Sequence, residues 1–152
     1  MIISEQPGDI FDCDAHTVCC PINSSGATMG KGLALEFRER VPGLYRFYLK
    51  RYAVVDNGTR REYRLEVFGV PDGRQVLLFP TKIYPRQNSV LGLIDTNLQT
   101  LANGYQRLGI KSLALPLIGC GLGNLDWKNQ VRPLVFQHLD KIPLPVSIIL
   151  PR

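Results

Sequence analysis

Two continuous apolar runs of strand length stand out along the chain. They extend from Thr17 to Ile22 and from Leu113 to Ile118, and neither alternates with polar residues. Such runs are typical of strands that are buried on both faces of a parallel sheet. Two shorter apolar segments, Ile2-Ile3 before a Pro7-Gly8 turn and Val146 to Leu150, predict further strands.

Four segments carry apolar residues at the spacings of three and four that are typical of helices. One runs from Leu33 to Val41 and stops at Pro42-Gly43, and a second follows from Leu44 to Tyr52. The third and most regular segment extends from Leu91 to Leu108, and the last extends from Val131 to Leu139. We therefore expect four helices that are interleaved with the strands.

Polar and glycine residues predict where the last two helices begin and end. Asn88 or Ser89 is the expected N-cap of the third helix, and Gly109 is its expected C-cap. Asp126 is the expected N-cap of the final helix. Pro133 lies near the beginning of that helix and lacks an N–H group, so an irregular first turn is expected there.

A hairpin is predicted in the middle of the chain. The segments from Tyr63 to Val70 and from Gln75 to Pro80 have strand character and are joined by Pro71-Asp72-Gly73, a strong turn sequence. Strands that alternate with helices, interrupted by one hairpin, predict an α/β fold with three α/β/α layers and a mixed central sheet. At 152 residues, one domain over residues 1–152 is expected.

The composition is that of a globular chain, with 45% hydrophobic and 20% charged residues. Pro, Gly or a charged residue interrupts every apolar run before it reaches membrane-spanning length, so no membrane association is expected. The sequence begins MIISEQPGD, without the basic segment of a signal peptide. The four cysteines form no C-x-x-C pair, which favours reduced thiols over a zinc site. These features favour a cytoplasmic location.

The chain is moderately basic, with a net charge of +5. Much of the positive charge falls at Arg38, Arg40, Arg46, Lys50, Arg51, Arg60, Arg61 and Arg64. Such a block is typical either of a surface that binds nucleic acid or of a solvated helix face followed by a charged loop. Charge alone does not separate these two interpretations.

The segment Gly26-Ala27-Thr28-Met29-Gly30-Lys31-Gly32 resembles a phosphate-binding P-loop, which has the pattern G-x-x-x-x-G-K-[ST]. Only three residues separate the first two glycines, and Gly32 replaces the hydroxyl residue that binds magnesium. Hydrolysis of a nucleoside triphosphate is therefore not expected. Small residues between a strand and a helix still allow backbone N–H groups to face an anion, although a tight turn without a ligand satisfies the same pattern.

A second glycine-rich turn, Gly119-Cys120-Gly121-Leu122-Gly123, follows the strand-like run that begins at Leu113. Ligands of open α/β sheets bind beyond the carboxyl ends of the strands. Because both glycine-rich turns follow a buried strand and precede a helix, both are expected on that edge. Two anion-binding loops on one edge suit a diphosphate better than a single phosphate.

With both loops in place, the sequence resembles a macrodomain over essentially its whole length. Gly8-Asp9-Ile10 is similar to the opening turn of that family, Pro21-Ile22-Asn23 to its strand that ends in Asn, and Gly119 to Leu122 to its second phosphate loop. MGKGLALEF, FPTK and LPLIGCGLGNLDW are similar to two branches of the family. One is the DarG-type antitoxin macrodomain, which removes ADP-ribose from thymidine in DNA. The other is the terminal ADP-ribose protein glycohydrolase, which acts on glutamate side chains.

The resemblance implies an ADP-ribosyl hydrolase that binds ADP-ribose and needs no cofactor or metal. Asp9 is implied to accept a hydrogen bond from the adenine amino group beside Ile10, and Asn23 to bind the distal ribose. The implied walls of the diphosphate site are Gly30, Lys31 and Gly32 on one side and Ile118, Gly119, Cys120, Gly121, Leu122 and Gly123 on the other. ADP-ribosylated DNA is the expected substrate, a toxin ADP-ribosyltransferase is a candidate partner, and a monomer is the expected state.

Lys82, at the end of FPTK, matches the catalytic lysine of both branches. Cleavage at C1'' of the distal ribose builds oxocarbenium character, which an amine beneath that carbon can attack or stabilise. The amine must be partly neutral, and this requires burial or a positive neighbour that lowers its pKa. Arg86 and Lys31 are the candidate neighbours. Tyr84 and Arg86 follow Lys82 closely and are placed to contact whatever carries the ADP-ribose.

One departure from the family pattern concerns the substrate. The protein-directed branch has an acidic residue directly after the G-C-G-L run, and this chain has Gly123 there. The missing acid favours a mechanism on DNA that relies on the lysine alone. The alternatives are a non-catalytic ADP-ribose reader, a hydrolase of protein-linked ADP-ribose or of ADP-ribose-1''-phosphate, and a nucleic-acid-binding protein without ADP-ribose chemistry.

Overall fold

The computed structural model describes residues 3–25, 28–52, 64–84 and 86–151. Within these ranges the strands are β1 (Ile3–Pro7), β2 (Thr17–Asn23), β3 (Glu66–Gly69), β4 (Gln75–Lys82), β5 (Leu113–Leu115) and β6 (Val146–Leu150). The helices are α1 (Gly32–Arg40), α2 (Leu44–Tyr52), α3 (Leu91–Gly104) and α4 (Arg132–Leu139), with a 3-10 turn at Ile10–Asp12 and a π-helical turn at Trp127–Val131. Ile2, Gly26, Ala27, Arg60, Arg61 and Tyr63, which figure in the sequence predictions, lie outside the described ranges.

The described strands form one sheet in the order β1-β6-β5-β2-β4-β3. Every neighbouring pair is parallel except β3 and β4, which form the antiparallel hairpin predicted around Pro71-Asp72-Gly73. The predicted mixed sheet is therefore confirmed. The five parallel strands end at the same edge of the sheet, and the loops that follow them meet there.

Helices cover both faces of the sheet, which confirms the three predicted layers. Along β2, Val18 and Cys20 pack towards α1 and α2, whereas Cys19 packs towards α3 and α4. Both faces are buried, which is why this strand has no polar alternation. Tyr48 of α2 and Leu98 of α3 are fully buried in the two layers, and each such side chain contributes about 1.5–3 kcal/mol to folding.

Helix α3 begins with a different cap from the one predicted. Val90 occupies its N-cap position without a side-chain capping bond, so the predicted caps Asn88 and Ser89 are wrong. Both residues instead make hydrogen bonds to the loop that follows β5. The Ser89 N–H donates to Gly123 O at 3.0 Å, which directs this segment towards the edge of the sheet rather than into the helix.

Helix α3 and strand β5 are both shorter than their apolar patterns predict. The helix ends at Gly104, and turns carry the apolar spacing on to Gly109. Gly109, with a φ of +74°, ends these turns. The C-cap of the helix is Tyr105, so the prediction of Gly109 as C-cap is wrong. Strand β5 ends at Leu115 because the next residue, Pro116, has no N–H group to donate to the sheet.

The final helix begins irregularly, as Pro133 predicted. The N–H groups of Gln130 and Val131 both donate to Asp126 O, at 2.9 and 3.2 Å, and the second bond closes a π-helical turn. Pro133 then lies in the first turn of α4, where a missing N–H has no cost. Asp126 occupies the N-cap position but its side chain does not cap the turn; its own N–H donates to the Gln130 side chain at 2.8 Å.

Part of the basic block forms an exposed face on α1 and α2. The Arg38 guanidinium lies 3.8 Å from the centre of the Tyr45 ring. Arg51 lies 5.0 Å from the Phe47 ring. Stacking of this kind covers apolar rings while the charge stays at the surface.

All four cysteines are free thiols, as predicted, and Cys19 and Cys20 are fully buried. Burial raises the pKa of both thiols, so these two side chains act as core residues. None of the helices in the described ranges is long and apolar enough to cross a membrane.

Candidate functional site

A cleft with a volume of about 1470 Å³ opens at the carboxyl edge of the sheet. One end lies at Asp9, which follows edge strand β1, and the other lies at Lys82, the last residue of β4. Four strand-to-strand steps separate β1 from β4 in the sheet, so the cleft spans about 19 Å. The cleft is therefore elongated, with the two glycine-rich loops between its ends.

The structure brings the predicted site residues together with one exception. Those that line the cleft are Asp9, Ile10, Asn23, Gly30, Lys31, Gly32, Lys82, Gly119, Cys120, Gly121, Leu122 and Gly123. Ile118 does not line it. Its side chain is fully buried on the α3 and α4 side of the sheet, and its N–H donates to Pro116 O at 2.9 Å.

Lys82 lies half-buried at the carboxyl end of β4, where Asn23 of β2 is its register partner. Its pKa is lowered, first because burial disfavours the charged ammonium and second because Lys31 places another positive charge nearby. Of the two neighbours that the sequence offered, Lys31 therefore supplies the repulsion. Both causes act in the direction that increases the neutral fraction of the amine.

Asn23 forms the centre of a hydrogen-bond network beneath the first glycine-rich loop. Its Nδ2 donates to Thr28 O at 2.8 Å, and its Oδ1 accepts from the Ser25 and Tyr48 hydroxyl groups. Only 7% of Asn23 is exposed. Asn23 therefore fixes the loop to the end of β2 and to α2, a role that the sequence did not predict. The hydroxyl of Tyr48 was the available signal, because a buried tyrosine needs a hydrogen-bond partner.

The first glycine-rich loop leads directly into α1. Lys31 occupies the N-cap position of the helix and makes no side-chain capping bond. The first amides of a helix have no intrahelical acceptor, and Gly32, Leu33 and Ala34 all line the cleft. Met29, which is 1% exposed, anchors the loop in the core. The loop therefore directs backbone donors and the positive end of a helix towards the cleft.

The second glycine-rich loop is packed too tightly for side chains at two of its glycines. Gly119 has a φ of +76°, and a Cβ there would lie 2.7 Å from Ile94 Cδ1. A Cβ on Gly123 would overlap the Ser89 hydroxyl and lie 2.5 Å from Gly119 O. The position that is acidic in the protein-directed branch cannot carry a side chain in this loop conformation.

The backbone donors of this loop divide into two groups. The N–H of Cys120 donates to Leu117 O at 3.1 Å, so Cys120, like Ile118, uses its amide within the turn. In the described part of the chain, the N–H groups of Gly121, Leu122 and Gly123 donate no hydrogen bond within the protein. These three amides are available to an anion.

Cys120 lies in the loop as a protonated thiol. Its Sγ donates to Ile118 O at 3.3 Å. Burial, together with the negative charge of Asp126, raises the pKa of the thiol to about 11. Because the thiolate is the nucleophilic form, Cys120 is unsuited to attack a ligand in the cleft.

The two glycine-rich loops approach each other across the cleft. A Cβ on Gly32 would lie 3.1 Å from Leu122 Cδ1, and Gly32 has a φ of +59°. Leu122 is nevertheless 62% exposed, because it projects from the tip of the second loop. Gly32 therefore provides both the left-handed turn and the space into which Leu122 fits.

The Asp9 end of the cleft has a carboxylate beside an aromatic ring. Asp9 Oδ1 accepts from the Phe11 N–H at 2.9 Å, and a carboxylate can accept further hydrogen bonds. Phe11 lines the cleft and packs 4.7 Å from the Phe37 ring. Asp9 and Ile10 are predicted from the sequence and Phe11 is not, although an aromatic residue directly after Ile10 was the visible signal.

The loop between Lys82 and α3 also contributes cleft residues that were not predicted as site residues from the sequence. Asn88 and Ser89 line the cleft. The Asn124 side chain donates to Asn88 Oδ1 at 2.8 Å and joins this loop to the second glycine-rich loop. No short motif marks these contacts, because they join residues that are far apart in the sequence.

The fold and the cleft define an α/β domain with its cleft at the carboxyl edge of the sheet, which is where open α/β sheets bind ligands. No family model matches the chain. The chain is 35% identical over 164 residues to the DNA ADP-ribosyl transferase-DNA ADP-ribosyl glycohydrolase fusion protein of Thermosipho africanus, which covers 98% of the chain. It spans 42% of the length of that relative.

Two solved structures are similar over nearly the whole chain. The macrodomain of Mycobacterium tuberculosis DarG superposes with a TM-score of 0.80 at 30% identity, over 98% of this chain and 96% of that one. Thermosipho africanus DarTG in complex with ADP-ribose superposes with a TM-score of 0.82 at 32% identity, over 95% of this chain and 40% of that one. The chain belongs to the macrodomain family.

Proposed function

We propose that this chain is an ADP-ribosyl hydrolase that removes ADP-ribose from thymidine in DNA. The observation that carries the proposal is the partly buried Lys82 amine, whose pKa is lowered beside Lys31 at one end of the cleft. The relative from Thermosipho africanus is named as a DNA ADP-ribosyl glycohydrolase fused to a transferase. A similar structure from that organism is a complex with ADP-ribose.

ADP-ribose lies along the cleft in a single direction in this proposal. The adenine contacts Asp9 at the β1 end, and the distal ribose lies over Asn23 and Lys82 at the β4 end. The diphosphate lies between the two glycine-rich loops, where the amides of Gly121 to Gly123 and the first turn of α1 face it. The length of the cleft, about 19 Å, supports this order because the two ends are four strands apart.

Lys82 is the reactive group in the proposed mechanism. Its neutral amine attacks C1'' of the distal ribose as the bond from C1'' to the thymine base breaks, and the base leaves with the electron pair and takes up the proton that the attacking amine gives up. Water then adds its hydroxyl to C1'' of the covalent adduct, and the amine departs with the other proton of that water, which releases ADP-ribose. Backbone amides neutralise the diphosphate and hold C1'' over the amine.

Gly123 favours DNA over protein as the carrier of the ADP-ribose. A side chain at this position would overlap Ser89, so the loop has no room for a carboxylate that could activate water on a glutamate ester. A lysine that acts without an acidic partner fits a substrate whose leaving group is a heterocyclic base. Protein-linked ADP-ribose is therefore the second substrate to test.

The direct test uses a single-stranded oligonucleotide with one ADP-ribosylated thymidine. We expect the wild-type chain to release free ADP-ribose, and Lys82→Ala to lose at least 99% of that rate, as is usual for a removed nucleophile. Lys111→Ala is the matched control, because Lys111 is exposed just before β5, at the opposite edge of the sheet. An intact oligonucleotide after incubation with the wild-type chain would contradict the proposal.

Calorimetry separates the hydrolase from a reader module. We expect wild-type and Lys82→Ala chains to bind free ADP-ribose with similar affinity, because the adenine and diphosphate contacts do not involve the amine. Binding without turnover on DNA, on glutamate-linked peptide and on ADP-ribose-1''-phosphate would identify a reader.

The proposed partner is a toxin that ADP-ribosylates DNA. The Thermosipho africanus relative carries a DNA ADP-ribosyl transferase in the same polypeptide. In cells that express such a transferase, the wild-type chain should restore growth and Lys82→Ala should not. Size-exclusion chromatography tests the expected monomer.

A further inference from the structure

One charged residue of the cleft, Glu36, belongs neither to the glycine-rich loops nor to the proposed mechanism. Among the described residues that line the cleft, only Asp9 and Glu36 carry a carboxylate. Asp9 follows β1, whereas Glu36 lies on α1, one turn after Gly32. A carboxylate lowers the affinity of a cleft for a diphosphate, because like charges repel. A carboxylate that lines such a cleft therefore indicates a contact with a part of the ligand that is not phosphate.

Helix α1 runs from the two glycine-rich loops towards the β1 end of the cleft. Gly32 begins the helix beside the second loop, since a Cβ there would lie 3.1 Å from Leu122 Cδ1. Arg40 ends the helix, and its guanidinium lies 4.4 Å from the centre of the Phe11 ring at the β1 end. Residues that are four apart share one side of a helix and are separated by about 6 Å along its axis. Glu36 therefore lies midway between the loops and the β1 end.

Contacts of its neighbours fix Glu36 at this position. The ring of Phe37, which is 1% exposed, packs 4.7 Å from the Phe11 ring. Arg40 Nη2 lies 3.9 Å from Glu36 Oε2, and about half of each side chain is exposed. A carboxylate has two oxygens and accepts several hydrogen bonds. The long contact with Arg40 therefore leaves acceptor sites on Glu36 for a ligand.

We propose that Glu36 binds the proximal ribose of ADP-ribose, which is the ribose attached to adenine, and excludes ligands that carry a phosphate at its 2' position. The assignment rests on the orientation of ADP-ribose in the proposed function, with adenine at Asp9 and the diphosphate between the loops. The proximal ribose joins these two groups, so it lies beside the middle of α1. Its 2' and 3' hydroxyl groups are neighbours on the ring, and both donate to the Glu36 carboxylate.

The charge of Glu36 determines which substituent the proximal ribose can carry. A carboxylate accepts a hydrogen bond from a hydroxyl group but repels a phosphate. In dinucleotide-binding α/β domains, a carboxylate at this ribose selects a 2'-hydroxyl, and an arginine accommodates a 2'-phosphate. Glu36 lines the cleft here, whereas Arg40 contacts Glu36 and the Phe11 ring. The cleft therefore accepts an ADP-ribose unit with a free 2'-hydroxyl, as in NAD, and rejects one with a 2'-phosphate, as in NADP.

The test measures the affinity of the chain for ADP-ribose and for ADP-ribose 2'-phosphate by calorimetry. The wild-type chain should bind ADP-ribose at least about tenfold more tightly than the 2'-phosphate. Glu36→Gln should bind ADP-ribose about threefold more weakly and the 2'-phosphate about fivefold more tightly, because an amide does not repel a phosphate and no longer pairs with Arg40. The preference for ADP-ribose should therefore largely disappear.

Glu39→Gln is the matched control. Glu39 is an exposed glutamate of the same helix that does not line the cleft, so this variant changes the net charge by the same amount. It should keep the wild-type preference for ADP-ribose. Both variants should unfold at the wild-type temperature, because exposed charges of this kind contribute little to stability. A loss of preference in Glu39→Gln as large as that in Glu36→Gln would overturn the assignment, since net charge alone would then explain it.

Charge reversal provides a gain that a damaged site would not show. Glu36→Arg should bind the 2'-phosphate more tightly than ADP-ribose, because a guanidinium pairs with a phosphate. Glu39→Arg should keep the wild-type preference. A Glu36→Arg chain that still prefers ADP-ribose as strongly as the wild type would overturn the assignment.

The ribose assignment and the proposed function fail in different experiments. A wild-type chain that releases ADP-ribose from the oligonucleotide but binds the two free ligands equally would overturn the ribose assignment and leave the proposed function intact. Unchanged preference in Glu36→Gln would have the same consequence. A wild-type chain that is inactive on the oligonucleotide, but prefers ADP-ribose in a manner that depends on Glu36, would overturn the proposed hydrolysis and support the ribose assignment.

Discussion

Asn23 and Lys82 are register partners at the carboxyl ends of β2 and β4, directly after an irregularity between Ile22 and Asn23. The Ser24 N–H donates to Lys82 O at 2.9 Å and joins the two strand ends. The backbone of the proposed reactive lysine is therefore fixed by the sheet, whereas its amine extends into the cleft beside Lys31. Groups that are placed on strands keep their position better than groups on loops.

The first prediction concerns the pH dependence of hydrolysis. The pKa of Lys82 is lowered by burial and by Lys31, and only the neutral amine reacts. Lys31→Gln removes the second cause, so the pKa of Lys82 should rise towards its usual value. The neutral fraction at neutral pH then falls, and the rising limb of kcat against pH should move to higher pH. At a pH above the rising limbs of the wild-type and the variant profiles, the two kcat values should converge.

Arg86→Gln is the control for this profile. It removes a positive charge from the same end of the cleft, but only burial and Lys31 account for the lowered pKa of Lys82. The limb of its kcat profile should therefore coincide with that of the wild type. An unchanged limb in Lys31→Gln would show that the rate does not follow the titration of Lys82.

The second prediction concerns the network beneath the first glycine-rich loop. The Tyr48 hydroxyl lies 2.9 Å from Asn23 O and 2.8 Å from Asn23 Oδ1, in a fully buried position. Tyr48→Phe should lower the free energy of unfolding by about 1–2 kcal/mol, because buried acceptors lose their donor. The affinity for ADP-ribose should fall as well, because Asn23 holds the loop through Thr28 O. Urea unfolding and calorimetry measure the two effects.

Tyr52→Phe is a matched control for Tyr48→Phe. The Tyr52 hydroxyl donates to Arg64 O at 2.7 Å, and neither residue lines the cleft. The two variants should lose similar amounts of stability, while only Tyr48→Phe weakens ADP-ribose binding. Equal affinity in both variants would show that the Asn23 network supports the fold and not the site.

The sequence predicted the layers of the fold because burial has a direct sequence signature. Val18 to Cys20 of β2 are apolar since both faces of the strand are covered, and Gln75 to Pro80 read as a strand for the same reason. Caps were predicted less well. Asn88 and Ser89 have the chemistry of N-caps, but contacts with Asn124 and Gly123 bind them to another loop, and those contacts join distant parts of the chain.

The candidate site was predicted unevenly for a related reason. The glycines of the two loops and Lys82 can be recognised in the sequence because each belongs to a short motif whose residue types have a chemical role. Asn124 reaches the cleft only through the packing of neighbouring elements, so no motif marked it. Ile118 was named from its motif, but its side chain is buried in the core on the α3 and α4 side of the sheet.

The third prediction compares Lys82 with Cys120, a thiol that also lines the cleft. The pKa of the Cys120 thiol is raised to about 11 by burial and by Asp126, so the thiol is protonated at neutral pH. Cys120→Ala should therefore retain at least about half of the wild-type kcat, because no thiolate is lost. Release of ADP-ribose from the oligonucleotide measures the rate. A loss as large as that of Lys82→Ala would assign the chemistry to the cysteine.

The fourth prediction concerns the glycine at which the protein-directed branch has an acid. A Cβ on Gly123 would overlap the Ser89 hydroxyl and approach Gly119 O at 2.5 Å, so Gly123→Ala forces the second loop away from Ser89. The strain should lower the free energy of unfolding by about 1–3 kcal/mol. ADP-ribose affinity should fall because the amides of Gly121 to Gly123 move with the loop. Thermal unfolding and calorimetry measure the two losses.

Gly121→Ala provides the control for Gly123→Ala within the same loop. No atom lies within 4 Å of a Cβ at Gly121, and its φ is not in the left-handed region. The variant should therefore keep the stability of the wild type. Gly123→Glu should lose stability and ADP-ribose affinity as Gly123→Ala does, because any Cβ at this position meets Ser89 and Gly119. It should gain no activity on glutamate-linked peptide, because the strained loop does not place the new carboxylate. A stable Gly123→Glu chain that cleaves the peptide would contradict that account and would make the identity of this one residue decide between protein and DNA.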